Sequence, residues 1–415
     1  MSPQRVPEFN RRTLLGSVGL AAGAVAAAPL LSSCSAPSSG TTSTANSPAP
    51  TLAATPSAPV TLNILDVAGN LALTKPAIEA FKSAHPEIVS NITYSTGTAP
   101  DLPAKLKSEQ AGGNVQTSLV LTGTDGLASG ITDGLYVNLK SYYGQFFPNL
   151  MSNYQSAAAS MATLAQDQGI EVVWYPSGPL IEYNPAVVKT VPATTDDLLA
   201  WAKANPGKYQ YAQPRNSGPG RTWLMGLPYL LGDSDPSDPT NGWSKTWAYL
   251  TELNKYVDTY PSGTSTTMKN IAAGTVDIIA STTGWYINGR AIGTVPKAIE
   301  VAKFQTFTWV TDAQFGVIPK GVSNDVLIAN LNLLAYILTP SAQAVTYDAG
   351  YFYPGPAIKG VSISQAPASS QQVIAEYGVP EFDTWMTQYP MKNSLPATAQ
   401  VTAFDLWDKN IGSTK

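Results

Sequence analysis

The chain has one histidine and one cysteine in 415 residues. That scarcity removes most catalytic chemistry. A Ser–His–Asp or Cys–His arrangement needs a histidine beside its nucleophile, and zinc sites draw chiefly on His and Cys. His85 stands before Pro86 at the end of an apolar-periodic stretch, where it reads as a solvated or capping residue. Cys34 closes an apolar N-terminal run. No G-x-S-x-G, no Walker loop and no G-x-G-x-x-G after a strand occurs, and Gly218-Pro219-Gly220 lacks the lysine of a phosphate loop. Acidic residues are plentiful, yet nothing at a fixed spacing argues for a carboxylate-pair hydrolase. No catalytic residue, metal ligand or cofactor is therefore expected.

Binding chemistry is what remains. Asn70, Thr124 and Asp125 follow apolar strand patterns directly, and Asp125 suits either a cationic ligand or a helix cap. Arg221 opens a helix after Gly218-Pro219-Gly220, where free N–H groups and the dipole favour an anion. A solvated first-turn arginine, with Ser217 as N-cap, explains the same residues. Trp285 and Tyr286 follow a strand and can stack on a sugar, heterocycle or cation, or pack under their own helix. Ser177 lies within the bend Pro176-Ser177-Gly178-Pro179 and Tyr183 follows it in the same hinge region, where Tyr183 serves equally as crossover packing.

The elements that must position these residues are legible as periodicity. Val60-Thr61-Leu62-Asn63-Ile64-Leu65 alternates as a strand, and Pro76 to Lys82 carries Ile78 and Phe81 on one helical face. Asn91-Ile92-Thr93-Tyr94-Ser95 and Ser118-Leu119-Val120-Leu121 read as further strands, separated by a helix that ends at Gly112-Gly113. Strand, helix, strand, helix, strand implies parallel βαβ units. Ligands on such sheets sit at the carboxyl ends of the strands, which groups Asn70, Thr124 and Asp125 at one edge. A second α/β region starts near Glu171, and the last hundred residues are mostly helical.

The N-terminus reads as an address. Arg11-Arg12 precede a weakly apolar run, and Leu31-Ser32-Ser33-Cys34 resembles a bacterial lipobox. Residues 1–33 are expected to be an export signal of the twin-arginine type. Glycines and a proline interrupt the run and disfavour a transmembrane helix. Cys34 is expected to be acylated, and residues 34–59, almost all Ser, Thr, Ala and Pro, to form a disordered tether of about 25–30 Å. The net charge of −4, from 24 basic and 28 acidic residues, offers no basic stripe for nucleic acid.

Phe81…His85-Pro86, the helix ending Gly112-Gly113, Asp133-Gly134-Leu135 and Leu180-Ile181-Glu182-Tyr183-Asn184-Pro185 together resemble, in order and spacing, the extracellular solute-binding proteins of bacterial ABC importers. Asn205-Pro206-Gly207-Lys208-Tyr209 and Gly350-Tyr351-Phe352-Tyr353-Pro354-Gly355-Pro356 are similar to the branch that includes polyamine, thiamine and ferric-iron binders. Thr117-Ser118 depart from the Pro-Asp that often opens the third strand, so ligand contacts of individual members do not transfer.

The resemblance implies a type II periplasmic-binding-protein-like α/β fold: two parallel-rich sheets flanked by helices and joined by two crossing segments, 171–183 and 306–315. Lobe one comprises 60–180 plus 312–415, and lobe two 181–311. It implies a lipid-anchored receptor outside the cell that closes on a small-molecule ligand and passes it to an ABC permease with its ATPase subunits. A surface hydrolase, or an adhesion or signalling protein, is the alternative. If an exposed Arg221 on lobe two and Asp125 across the cleft both face the ligand, it is expected to turn an anionic or electron-rich end to lobe two and a cationic or hydroxyl end to lobe one. Arg221 then adds little to fold stability.

Because Cys34 is the sole acylation candidate, Cys34→Ala is expected to release the protein from membranes or block its maturation. Fractionation identical to the parent contradicts this. Lysines in place of Arg11-Arg12 are expected to impair export in a host with a twin-arginine system.

Overall fold

The computed structural model describes residues 52–415. Strand β1 (Val60–Asp66) is half-exposed where it begins and buried where it ends. Neighbours cover both its edges there: β2 (Val89–Thr96) and β3 (Leu119–Gly123) each pair with it in parallel. Parallel pairing demands a crossover, and the helices Leu71–Ala84 and Leu102–Ala111 supply it. The first helix buries Leu73, Ala77, Ile78 and Phe81 on one face.

The next strands carry the chain out of this sheet. β4 (Ile170–Gly178) runs through Pro179 into β5 (Leu180–Tyr183), which belongs to a second sheet. β6 (Tyr209–Gln210), β7 (Ile278–Ser281) and β8 (Glu300–Ala302) complete that sheet in the order β6-β7-β5-β8. The chain then returns across 303–308 into β9 (Trp309–Val317). Antiparallel pairing of β4 with β9 runs from Ile170 opposite Gly316 to Gly178 opposite Val310, and both strands are buried along their whole length. These two strands form a double connection between the lobes. With β10 (Met391–Asn393) the first sheet has the order β10-β9-β3-β1-β2, and β4 lies against β9. Parallel ladders dominate the first sheet. In the second only β6 and β7 are parallel, because β5 runs antiparallel to both its neighbours.

The course of the C-terminus differs from the sequence reading, which kept 312–415 with lobe one. The helix Asn324–Ile337 does pack there, through Leu331, Leu333, Leu334 and Ile337, and Gln343 of the helix Pro340–Val345 donates to the Val172 carbonyl of β4 at 2.9 Å. Phe352, Ala357 and Ile358 still pack on the first core and β10 stays in the first sheet, but most of the chain between and after them turns to the other lobe. Phe382 packs with Leu180, Tyr286, Phe307 and Trp309. Ala403, Phe404 and Trp407 of the helix Ala397–Asn410 enter the second core beside Tyr211 and Tyr260. Trp407 Nε1 donates to the Tyr211 hydroxyl at 3.0 Å, and Arg215 pairs with Asp405 and Asp408 at 2.6 and 2.8 Å. Helical periodicity identifies a face to be buried, but not which of two cores receives it.

The tether reading also changes at its end. Pro56 is buried, Leu52 packs on the first core, the Ser57 amide donates to Asp325 Oδ1 at 2.9 Å, and Asn332 Nδ2 donates to the Ala54 carbonyl at 2.9 Å. Residues 52–59 are therefore part of the folded body. Cys34 and the export signal lie outside the described residues. Among the described residues no helix is long and apolar enough to cross a membrane.

Glu182, in the middle of β5, is fully buried and bonded through Oε1 to the Ser281 hydroxyl, while Oε2 has no partner. Burial pushes its carboxyl up to about 7, against smaller lowering effects from Ser281 and the charge of Arg290. An acid whose folded value is raised binds its proton more tightly when folded. Its contribution to stability is therefore full below the ordinary carboxyl range and is lost as pH rises from about 4.5 through about 7. Glu171, also buried, shifts in the same direction. Glu182→Gln is expected to remove roughly 3 kcal/mol of this decline between pH 4 and 8. Urea unfolding at pH 5 and pH 8 checks it; an identical decline in parent and variant contradicts it.

Candidate functional site

Four helices begin on one cleft of about 230 Å³ between the lobes. From lobe one comes Thr124–Thr132, which starts directly where β3 ends. From lobe two come Gly218–Leu231, Thr264–Ala272 and Thr283–Ala291. Gly123 and Asp125 line one side; Gly218, Thr264 and Trp285 line the other; Tyr175 of β4 and Gln314 of β9 contribute from the connecting strands. The volume is below the range typical of drug-sized ligands and suits a small solute.

One wall is a run of aromatic rings. Tyr175 stacks on Phe352 at 4.7 Å, Phe352 on Tyr351 at 4.2 Å, and Tyr351 meets Trp285 edge to face at 5.0 Å. This row joins a strand of lobe one to a helix of lobe two. Gly284 allows the contact: a Cβ there would stand 1.9 Å from the Tyr351 carbonyl oxygen.

Arg221 is the centre of the site and is only 3% exposed. It donates through Nη1 to Asp125 Oδ2 at 2.8 Å and through Nη2 to Asp312 Oδ2 at 2.5 Å. Asp312 lies on β9 and is completely buried. Its Oδ1 accepts from Thr124 Oγ1 at 3.1 Å and from the Ala313 amide at 2.9 Å. Asp125 Oδ1 accepts from the Gly126 amide at 2.9 Å. The charges are thus paired and the remaining carboxylate oxygens bonded, which offsets much of the cost of burying them, while Arg221 Nε has no partner among the described residues. Burial alone would lower the guanidinium pKa, but the charges of Asp312 and Asp125 outweigh it and raise the value. Burial, with the Asp312 charge beside it, holds the Tyr175 phenol protonated well above its usual range.

The profile of the bacterial extracellular solute-binding protein family matches residues 76–374. The chain belongs to this family. No curated protein matches it by sequence. Solved structures with the same fold include a ferric binding protein from Campylobacter jejuni, 13% identical, TM-score 0.60, with 85% of this chain and 98% of that one covered. An ABC transporter protein from Clostridium perfringens is 17% identical, TM-score 0.60, covering 85% and 99%. A periplasmic binding protein from Actinobacillus pleuropneumoniae with fructose-6-phosphate bound is 16% identical, TM-score 0.59, covering 84% and 98%.

In this solute-binding protein the residues singled out from sequence separate into three groups. Asp125, Arg221 and Trp285 line the cleft. Asn70, Thr124 and Ser177 stand behind it. Asn70 accepts from Thr74 Oγ1 at 2.6 Å, Thr124 holds Asp312, and Ser177, at a φ of 59°, bonds Thr222 Oγ1 at 2.7 Å. Tyr183 and Tyr286 are not in the site. Tyr183 is at the far end of β5, bonded to Glu300, and Tyr286 packs near Phe382 under the Arg290 guanidinium at 3.7 Å. Both are accounted for by packing.

Asp312, Gln314, Tyr351 and Phe352 were missed as site residues. Asp312 carried a signal: an acid in the middle of an apolar strand must be paired to be buried. The sequence reading took Arg221 as exposed; the ion pairs to lobe one correct it. Removing one partner of a buried pair leaves an uncompensated charge, so Arg221→Leu is expected to cost about 3–5 kcal/mol of stability. Denaturant unfolding measures this; a change within about 0.5 kcal/mol, the surface-substitution range, contradicts the buried pairing.

Proposed function

We propose that this protein captures one small polar solute between its lobes and delivers it to an ABC permease, while an acylated Cys34 holds it on the outer face of the cell membrane. The observation that carries the reading is the cleft itself: helix starts of both lobes converge on it, an aromatic wall spans it, and two buried strands connect the lobes beside it. Such an arrangement permits hinge closure around a bound molecule. Family membership and the fold shared with an ABC transporter protein support delivery to a permease.

The function is binding without turnover. His85 ends the helix Leu71–Ala84, packs against Phe81 and Tyr336 and pairs with Glu87 at 3.1 Å. Fourteen helical residues place it about 20 Å from the end of that helix nearest the cleft. The charges beside the cleft are engaged with each other, not poised on a nucleophile.

Native mass spectrometry of gently purified protein identifies the solute. Titration of that solute against Trp285→Ala is expected to show affinity about tenfold weaker, the loss of one aromatic contact. X-ray scattering is expected to show compaction when the solute binds. Binding without compaction and without sensitivity to Trp285 moves the site elsewhere, and turnover of the solute favours the hydrolase reading.

A further inference from the structure

The helix Ala397–Asn410 touches both lobes, and its two faces are held differently. One face is planted in lobe two. Ala403, Phe404 and Trp407 enter the second core, Trp407 donates to Tyr211, and Arg215 pairs with Asp405 and Asp408. The other face meets the helix Thr124–Thr132 of lobe one. Leu395 and Ala397 border a cavity of about 10 Å³ with Thr124, Leu127 and Ala128. Val401 and Phe404 border another, of about 90 Å³, with Asp125 and Ser129. Asp125 lines the capture cleft as well. The seam between the lobes is thus closed twice at Asp125: by Arg221 at the cleft, and by the C-terminal helix at the second cavity.

Polar side chains do not tie these two helices together. Ser129 and Thr132 donate to the Gly126 and Ala128 carbonyls of their own helix, and Thr402 donates to the Thr398 carbonyl of its own. Gln400 stands one turn from Ala397 and one turn from Phe404 on the same stripe. It is fully buried, and neither its Nε2 nor its Oε1 has a partner among the described residues. A buried amide without partners carries its whole desolvation penalty, which an apolar side chain of the same shape would not. Water reaches the amide once the helices part, so the penalty falls on the closed contact alone.

We infer that the contact between the helices Ala397–Asn410 and Thr124–Thr132 is a latch on the lobes. It parts when the cleft opens, while Trp407, Asp405 and Asp408 keep the C-terminal helix on lobe two, and the unpartnered Gln400 keeps the contact weak enough to release. The entry to the helix suits such a movement. β10 pairs with β9, and Ser394 donates to the Thr311 carbonyl at 2.8 Å, so the helix departs directly from a strand that connects the lobes. The inference rests on the reading of the protein as two lobes that close on a solute, and it assigns the part that sets how readily they open.

Thiol labelling tests the latch without any solute, so its failure leaves the capture reading intact. Ala128 is 3% exposed and borders the latch; Ala202 is fully buried in the core of lobe two. Ala128→Cys and Ala202→Cys are made separately in the full chain, and modification by a soluble maleimide is located by peptide mapping. The Ala128→Cys thiol is expected to react faster than the Ala202→Cys thiol, roughly tenfold or more, because a local opening needs less free energy than unfolding. Adding Gln400→Leu removes the unpaired amide and is expected to slow reaction at Ala128→Cys roughly tenfold, the equivalent of about 1.4 kcal/mol. Adding Val401→Glu places a second carboxylate in the cavity that Asp125 lines and is expected to quicken it. Equal rates in Ala128→Cys and Ala202→Cys would mean that the helices separate only on global unfolding, and would overturn the latch. A rate at Ala128→Cys that neither Gln400→Leu nor Val401→Glu changes overturns it as well.

Discussion

One guanidinium holds two acids from different parts of the chain, and the geometry between the lobes depends on it. Arg221 lies in the first turn of a helix of lobe two; Asp125 lies in the first turn of a helix of lobe one; Asp312 sits on a connecting strand. Leaving any of the three charges buried alone would cost several kcal/mol. The pairing therefore fixes more than its own side chains. It sets where the start of Gly218–Leu231 stands relative to the start of Thr124–Thr132, and so the width of the cleft. Thr124 and the Ala313 amide complete the arrangement by occupying the other oxygen of Asp312.

Around that fixed point the fold separates stiffness from adaptability. The paired strands β4 and β9 and the aromatic row from Tyr175 to Trp285 are buried or packed against rings. The polar groups that line the cleft are instead mostly short: two serines, a threonine and two amide side chains. Short groups lose little entropy on ordering, so a site of this kind gains selectivity from the placement of helices. That is consistent with one fold serving ferric ion in one protein and fructose-6-phosphate in another at under 20% identity to this chain.

The sequence made the βαβ order of the first lobe legible because β1 and the helix after it have clear periodicity. It was less informative wherever two segments distant in the chain had to meet. Pro76 reads as a helix start, yet the helix opens at Leu71, because Asp66 at the end of β1 accepts the Ala68, Asn70 and Leu71 amides and holds the start of the helix. Phe404 and Trp407 announce a buried face without revealing that it belongs to the second core. Arg221 was visible as a helix-start residue, but its burial depends on Asp312, 91 positions away. Tyr286 and Trp285 are adjacent and chemically alike; the helical turn sends one into the core and the other to the cleft.

The claim that the Arg221 pairing sets the position of the lobes is tested most directly by an interlobe distance. Spin labels at Ser108→Cys and Lys269→Cys, both exposed, report the separation of the helices Leu102–Ala111 and Thr264–Ala272. The account predicts one narrow distance distribution in the parent background and a broader, longer one when Asp125→Ala removes the lobe-one partner while the protein remains folded. The same narrow distribution in both would contradict it, and would mean that the connecting strands and the C-terminal helix hold the lobes without the ion pairs.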